Sequence, residues 1–506
     1  MTDSLPDSAT PAAAPATPIL VGVGIVSQRE EDANDALEPI DLMIEATRAA
    51  GGDTGEPDIL TAIDRIIVPV GRWSYQNPGG MIADAVGSPT AKSVSVHAGI
   101  SQQTILSDAA SAIASGSINT ALVVGGEAGY RLKRAKAESV ELTDRDTPND
   151  ADIEPDEVHR PDHSGILSKE ESEAGLGFMA VGYYAILETA WRHARGMSLA
   201  DHEQHMADRY ARFSEIAVEN PHGWDTQRRS AKEIMDAPML AYPYRKHHVS
   251  NWGVDQASAL LLCSVAEAKR RGIPESKWIY PHAFTEANHA VVVGNRDELH
   301  RCRGAEIAGQ AALEAAGCSA ADLDFVELYT CFPVAVSTFA EAIGLNPARD
   351  LSFSGAMPFG GGPFNNFVLH CTAQLAQHLR AQPESRGLIS AVSGFLTKQG
   401  FAVWGTEPNP AGYQFIDVTE QVAAATTARA FTAGYSGPAT VAGYTVLHDR
   451  EGPTTAVVVA DLPDGSRAVV ANDDPAVMAR LQAEEFCGQA IGCGGISVRD
   501  SVTSRG

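Results

Sequence analysis

The chain has 506 residues, is 44% hydrophobic and 20% charged, and sets 64 acidic side chains against 38 Lys and Arg, a formal net charge of −26. A polyanion of that kind repels nucleic acid and anionic lipid surfaces, so neither is expected as a partner. Its 7 scattered cysteines contain no C-x-x-C pair and suit free thiols in a reducing compartment, and no apolar run approaches the ~20 residues of a membrane span, so a cytoplasmic location is expected.

Residues 1–18 are rich in Pro and Ala, lack a basic start and an apolar core, and read as a disordered lead rather than a signal segment. Ile19 to Ile25 (ILVGVGI) reads as a first strand. Gly22 and Gly24 resemble the start of a dinucleotide fingerprint, but Ser27 stands where a third glycine is needed, so a strand entering a turn is the better reading. Pro39 to Ala50 has amphipathic spacing with Pro39 suited to a first turn. Ile63 to Val70 reads as a strand and Gly79 to Val86 as another helix. Lys92 to Ala128 is the organising stretch. Ser93 to Val96 alternates as a strand, a turn follows at Gly99, and Ile105, Leu106, Ala109, Ala110 and Ile113 recur at helical spacing. Ala and Ser occupy most of that helix's other faces, which predicts a helix surrounded by protein. Gly116 ends it, and Ile118 to Val124 is an apolar strand closing in Gly125-Gly126.

From Arg131 to about Val158 the sequence is acidic and poor in large apolar residues, the pattern of a solvated loop without calcium-loop spacing. Helices are expected over Phe178 to Arg195 and after Ser198, where Asp201 completes a capping box. His202 and His205 share a turn with no third ligand and read as surface histidines. The segment of about 129–250 is thus a mostly helical excursion, and AYPYRKHHVSNWGVDQASALLL returns the chain to a buried strand.

The pattern then repeats: a helix over Leu299 to Ala316, a strand over Phe325 to Phe332 (FVELYTCF), a glycine-rich turn (GAMPFGGGPFNN), a helix over Phe367 to Leu379, and a strand from Leu388 to Val392 ending in Ser393-Gly394. Two similar halves, 19–275 and 276–412, predict a duplicated α/β core. From about 413 to 506 alternating residues around Asp-Gly turns predict a separate β-rich, barrel-like domain, with Asp474 capping its one helix.

The stretch Lys92 to Ala128, together with VELYTCFP, GGGPFNNF and the AYPYRKHH segment, resembles the thiolase superfamily, and within it the sterol-carrier-protein-type thiolase-like proteins that carry an added C-terminal β domain. The resemblance covers about 19–412. It implies the thiolase fold, a duplicated five-layered αβαβα core with a helical loop-domain insertion. It further implies coenzyme A or an acyl-CoA of fatty-acid or steroid metabolism as the ligand, with no covalently held cofactor and no metal. Thiolases pair through the edge strand beside the nucleophile helix, a contact that an added domain can replace, so monomer and homodimer both stay open.

In active thiolases a cysteine at the central helix N-terminus attacks the thioester, a histidine takes its proton, and a second cysteine moves the α-carbon proton. Carried onto this chain, the nucleophile falls at Gly99, the histidine at Gly362 and the second cysteine at Gly394. Tyr329 and Thr330 replace the His-Asp of the family's HDCF motif, while Cys331 and Phe332 remain. Covalent thiolysis is therefore not expected. Tyr329, Cys331 and His97 are the remaining catalytic candidates, each equally readable as a packed side chain. Arg245, Lys246 and His247 are candidates for coenzyme A phosphates, against a reading as solvated charge. Three functions follow: an acyl-CoA-binding protein without turnover, a cysteine-independent acyl-CoA aldolase using Tyr329, and a non-enzymatic scaffold.

Overall fold

The computed structural model describes residues 13–145, 153–493 and 497–498. β1 (Pro18–Gln28) is buried without interruption from Pro18 to Gly24, the pattern of a strand covered on both faces. β2 (Arg65–Pro69), β3 (Lys92–Val96), β4 (Thr120–Ala128) and the short β5 (Glu157–His159) follow. After β6 (Met239–Ala241) and β7 (Tyr244–Arg245), β8 (Asp255–Ser264) completes a first sheet ordered β1-β8-β4-β2-β3-β5. β9 (Tyr280–Asn288), β10 (Phe325–Glu327), β11 (Arg386–Ser393), β12 (Lys398–Gly405) and β13 (Gln414–Asp417) form a second, ordered β10-β11-β12-β9-β13.

The duplication is visible in the pairing. β2 lies parallel to β4, β4 antiparallel to β8, and β8 antiparallel to β1. β10, β11, β12 and β9 repeat those three relations in the same order. In both halves a left-handed glycine precedes the central helix, Gly99 at φ +108° and Gly361 at φ +110°. The central helices, Gln102–Ala114 and Phe367–Ala381, lie between the sheets, while Pro39–Asp53 and Arg303–Ala315 cover the two outer faces. Five layers result. The first central helix is buried on nearly every face because its small Ala and Ser side chains let both sheets approach.

The insertion carries the long helices Ala180–Ala194 and Leu199–Glu219. The C-terminal sheet consists of β14 (Gly437–His448), β15 (Pro453–Asp461), β16 (Arg467–Asn472), β17 (Ala490–Cys493) and β18 (Ser497–Val498). β6 pairs with β14 and carries β7, so insertion and C-terminal domain share one sheet. Arg192, fully buried on Ala180–Ala194, fastens that junction: its guanidinium donates to Glu485 at 3.0 Å, to the Tyr242 hydroxyl at 3.2 Å and to the Tyr444 hydroxyl at 2.8 Å.

Several expectations need correction. Of the lead, residues 1–12 lie outside the described residues, but Pro15 and Thr17 accept backbone bonds from Ala266 and Val265, so the lead is ordered before residue 18. The acidic stretch is more than a solvated loop. Asp156 accepts from the Ser93 backbone at 2.8 Å, Glu157 pairs with Arg65 at 2.6 Å, and β5 adds a parallel strand beside β3. Residues 414–417, expected in the added domain, pair with β9 of the core. The expected barrel is an open sheet among the described residues, because no pairing joins β16 to β18. His202 is buried rather than at the surface, its Nε2 lying 2.8 Å from Glu188.

Three buried carboxylates set a pH dependence. Burial pushes Asp255 up to about 6, and Glu127 and Glu327 up to about 7, against the hydrogen bonds each accepts. A carboxyl held above its unfolded value near ~4 keeps a proton in the folded state that the unfolded chain has lost. Each group thus contributes stability at acidic pH that disappears as pH rises through its folded value. Half-buried His205 and buried His248 and His370, pushed by burial down to about 4, 3 and 3, work in the opposite direction, so the carboxylate share is read as a difference. The unfolding free energy of wild type minus that of Glu327→Gln, from urea titration, is expected to fall by on the order of a few kcal/mol between pH ~4 and ~7. A difference that stays level or rises across that window would contradict the assignment of Glu327.

Candidate functional site

A cavity of about 460 Å³ opens where the two central helix N-termini meet, and Gly99, Gly362, Gly394, Tyr329 and Cys331 all line it. Ser101 caps the first helix, its hydroxyl accepting from Gln103 N at 3.3 Å. Gln102 accepts from Val368 N at 2.8 Å, and Gln103 donates to the Ile389 carbonyl at 2.9 Å, which locks the first helix to the second half. From behind, Lys398 Nζ donates to the Gly99 carbonyl at 3.0 Å; burial lowers its pKa. A β-carbon at Gly99 would stand 2.8 Å from Pro161 Cγ and 2.9 Å from His163 Cε1.

The third glycine opens a left-handed turn, Gly394, Phe395 and Leu396 at φ +58°, +56° and +62°. For the two non-glycine residues this conformation costs roughly 1–2 kcal/mol each. Bonds from Thr397 Oγ1 to the Gly394 carbonyl at 2.6 Å, from Arg296 to the Phe395 carbonyl, and from Gln399 to the Leu396 carbonyl at 2.5 Å hold it. The turn thereby aims Phe395 into the cavity wall, where it stacks on Tyr183 at 4.6 Å.

Tyr329 is fixed by its backbone N–H donating to Ser390 Oγ at 2.9 Å and by an edge contact with Phe367 at 5.7 Å; among the described residues its hydroxyl has no hydrogen-bond partner. Burial pushes its pKa upward. Burial also drives the Cys331 thiol up to about 12, and no cation stands by to oppose that. His97 does not line the cavity; its N–H donates to the His159 carbonyl at 2.9 Å. Nor do Arg245, Lys246 and His247. Arg245 is paired with Glu203 at 2.9 Å, Lys246 is exposed, and His247 lies beside Phe359. The geometry thus withdraws them as contacts of a ligand in this cavity.

The rim was not visible from residue types. Phe178 is 86% exposed, Met179 67% and Trp252 47%, and all three line the cavity. Arg72 stands over the Trp252 ring at 5.6 Å. Phe178 and Met179 are legible only as part of an apolar helix start, and nothing in their spacing marks them as uncovered. Among the described residues no charged side chain lines the cavity, so it suits an apolar group and offers neither a nucleophile with a base nor a metal site.

A family model described as the additional C-terminal domain of thiolase-like protein type 1 matches residues 417–494. The chain is similar to a monomeric SCP2-thiolase-like protein type 1 from Mycobacterium smegmatis, with 26% identity over 95% of this chain and 97% of that one and a TM-score of 0.79. It shares its fold with an Ltp2–ChsH2(DUF35) aldolase, at 16% identity over 77% of this chain and 98% of that one and a TM-score of 0.58. The same holds for the dimeric peroxisomal thiolase of Saccharomyces cerevisiae, at 16% identity over 78% and 98% and a TM-score of 0.53.

Proposed function

Because the chain belongs to the thiolase superfamily, on its SCP2-thiolase-like type 1 branch with an additional C-terminal domain, we propose that it binds an acyl-CoA or related acyl ester without thiolysis. One observation carries the reading: Gly99, Gly362 and Gly394, which the family resemblance assigns to the thiolase nucleophile, base and second cysteine, line one cavity. The cavity keeps the apolar space an acyl group needs and has lost the atoms that would attack it. Ligand binding to the folded state should raise apparent stability, by about 2.7 kcal/mol at a hundredfold excess over Kd. Thermal shifts with acyl-CoAs of increasing chain length are therefore expected to grow with chain length. Val181→Trp, which fills the cavity from its rim, should remove them. Equal shifts with coenzyme A and every acyl-CoA, or none at all, would sink the proposal.

A second reading, a cysteine-independent acyl-CoA aldolase, is favoured by Tyr329, whose hydroxyl has no partner among the described residues and which lines the cavity. A phenol so placed can donate to, or take a proton from, a bound oxygen. Turnover of a β-hydroxyacyl-CoA that disappears in Tyr329→Phe, with ligand binding retained, would separate this from simple binding.

A further inference from the structure

The outer wall of the cavity is held by residues that do not line it. Two segments of the insertion form that wall: the helix start from Phe178 to Val181, and Leu240 on β6. The core touches the helix just beyond its start, where Tyr183 stacks on Phe395 and Tyr184 on Phe332, but both wall segments are also held from the C-terminal domain. β6 owes its position to β14, where Leu447 pairs with Ala241, Tyr242 N donates to the Val446 carbonyl at 2.8 Å, and Thr445 Oγ1 donates to the Tyr242 carbonyl at 2.9 Å. The helix start is reached by the same strand. The Leu447 side chain lies 3.1 Å from where a β-carbon at Gly182 would stand, and 3.9 Å from the equivalent point at Gly175. Thr455 on β15 comes within 3.7 Å of that second point.

The intervening backbone turns on two glycines around one buried leucine. Gly175 at φ +98° and Gly177 at φ +55° flank buried Leu176, so the segment turns on two residues with no side chain to resist rotation. Phe178 and Met179 immediately follow, largely exposed. Within the segment Tyr183 donates to the Gly177 carbonyl at 2.9 Å and Leu176 lies 2.7 Å from the Gly182 point; behind them, on the side of the C-terminal domain, stand Leu447 and Thr455.

We propose that the C-terminal domain sets the shape of the cavity's outer wall through Leu447, which makes Leu447 a positioning residue that selects ligand size without touching the ligand. The inference rests on the acyl-ligand reading for its readout but not for its geometry. Leu447→Ala frees space behind Gly175 and Gly182 and lets the wall retreat toward β14. The wall then admits longer or branched chains more readily than short ones.

The test compares Kd values for butyryl-CoA and dodecanoyl-CoA, by calorimetry on the full-length chain, in wild type, Leu447→Ala and Val469→Ala. Val469 lies on β16 of the same domain, and its truncation controls for a general loss of stability. In Leu447→Ala the ratio of the two Kd values should shift at least fivefold toward the longer chain, and in Val469→Ala it should not move. An unchanged ratio in a folded Leu447→Ala protein overturns the proposal. If wild type binds neither ester, the ligand reading has failed and the wall is tested by hydrogen exchange instead. Amides of 175–182 and 239–242 should then exchange faster in Leu447→Ala than in wild type, with those of 102–114 unchanged; uniform exchange across all three segments overturns it.

Discussion

Arg192→Ala is expected to lower the unfolding free energy by on the order of 3–5 kcal/mol. The guanidinium is fully buried and serves three partners from different parts of the chain, Tyr242 of the insertion and Tyr444 and Glu485 of the C-terminal domain. Alanine leaves two phenolic hydroxyls and a carboxylate short of a donor and opens a void at the junction. Lysine should not rescue it, because an ammonium cannot span three acceptors spread around a planar fork. The loss should be local in its first consequence: β14 and β6 part before the core sheets do. Urea titration gives the magnitude. Limited proteolysis should show early cleavage between 426 and 437, where the core strand β13 and its following helix end and the C-terminal sheet begins. A loss below about 1 kcal/mol, the scale of an exposed ion pair, would mean the junction is held by packing alone.

Incubation with acetyl-CoA is expected to leave the chain's mass unchanged. An acyl-enzyme needs a nucleophile beside the thioester carbon, and Gly99 supplies none. Cys331 is the thiol that lines the cavity, yet burial drives its pKa up to about 12, so it is far less ionised at neutral pH than the few per cent of a free cysteine. Thiolysis of acetoacetyl-CoA should therefore fall far below the 1–10³ s⁻¹ of ordinary enzymes. Restoring the side chains should not restore the reaction. Gly99→Cys places a β-carbon at φ +108° and 2.8 Å from Pro161 Cγ, so the loop from 159 to 163 has to move. Gly394→Cys meets Thr397 Oγ1 at 2.5 Å, the atom that holds the left-handed turn. The triple variant Gly99→Cys, Gly362→His, Gly394→Cys is expected to be less stable than wild type and still inactive. Intact-protein mass spectrometry and a spectrophotometric thiolysis assay decide it. A stoichiometric acetyl adduct on the wild-type chain would place the active site elsewhere.

The central units were legible because their signals are local. A left-handed glycine, a helix of small residues and an apolar strand each depend on a dozen consecutive positions, and the repeat of that order gave the duplication. Ser198 and Asp474 were legible as caps for the same reason, and both accept the expected backbone bonds. β9 and β12 were not. YPHAFTEAN and KQGFAVWG look too polar for interior strands, and they are buried because His282, Thr285 and Gln399 find partners at Glu407, Ala308 and Cys302, each more than twenty positions away. β5 carries Val158 as its one apolar residue; Asp156 and Ser93, 63 positions apart, bring it to the sheet. His202 was misread because Glu188 lies on the preceding helix. At the site, the three converging glycines followed from the family frame. Arg245 to His247 were chosen for their charge, and charge does not reveal that Glu203 already answers Arg245.

The short strand β5 has a consequence for how the folded chain behaves in company. β3 is a five-residue strand buried over four of its positions, and its outer row of backbone donors and acceptors is covered by three residues that are only half-buried. The exposed border of the first sheet is therefore brief and carries Glu157 and His159, a poor template for strand addition by another molecule. That protection hangs on Asp156 and the Arg65–Glu157 pair, bonds that can open while the rest of the sheet stays intact. Exposure of the β3 edge is thus set by the local opening of one small strand rather than by unfolding of the whole sheet.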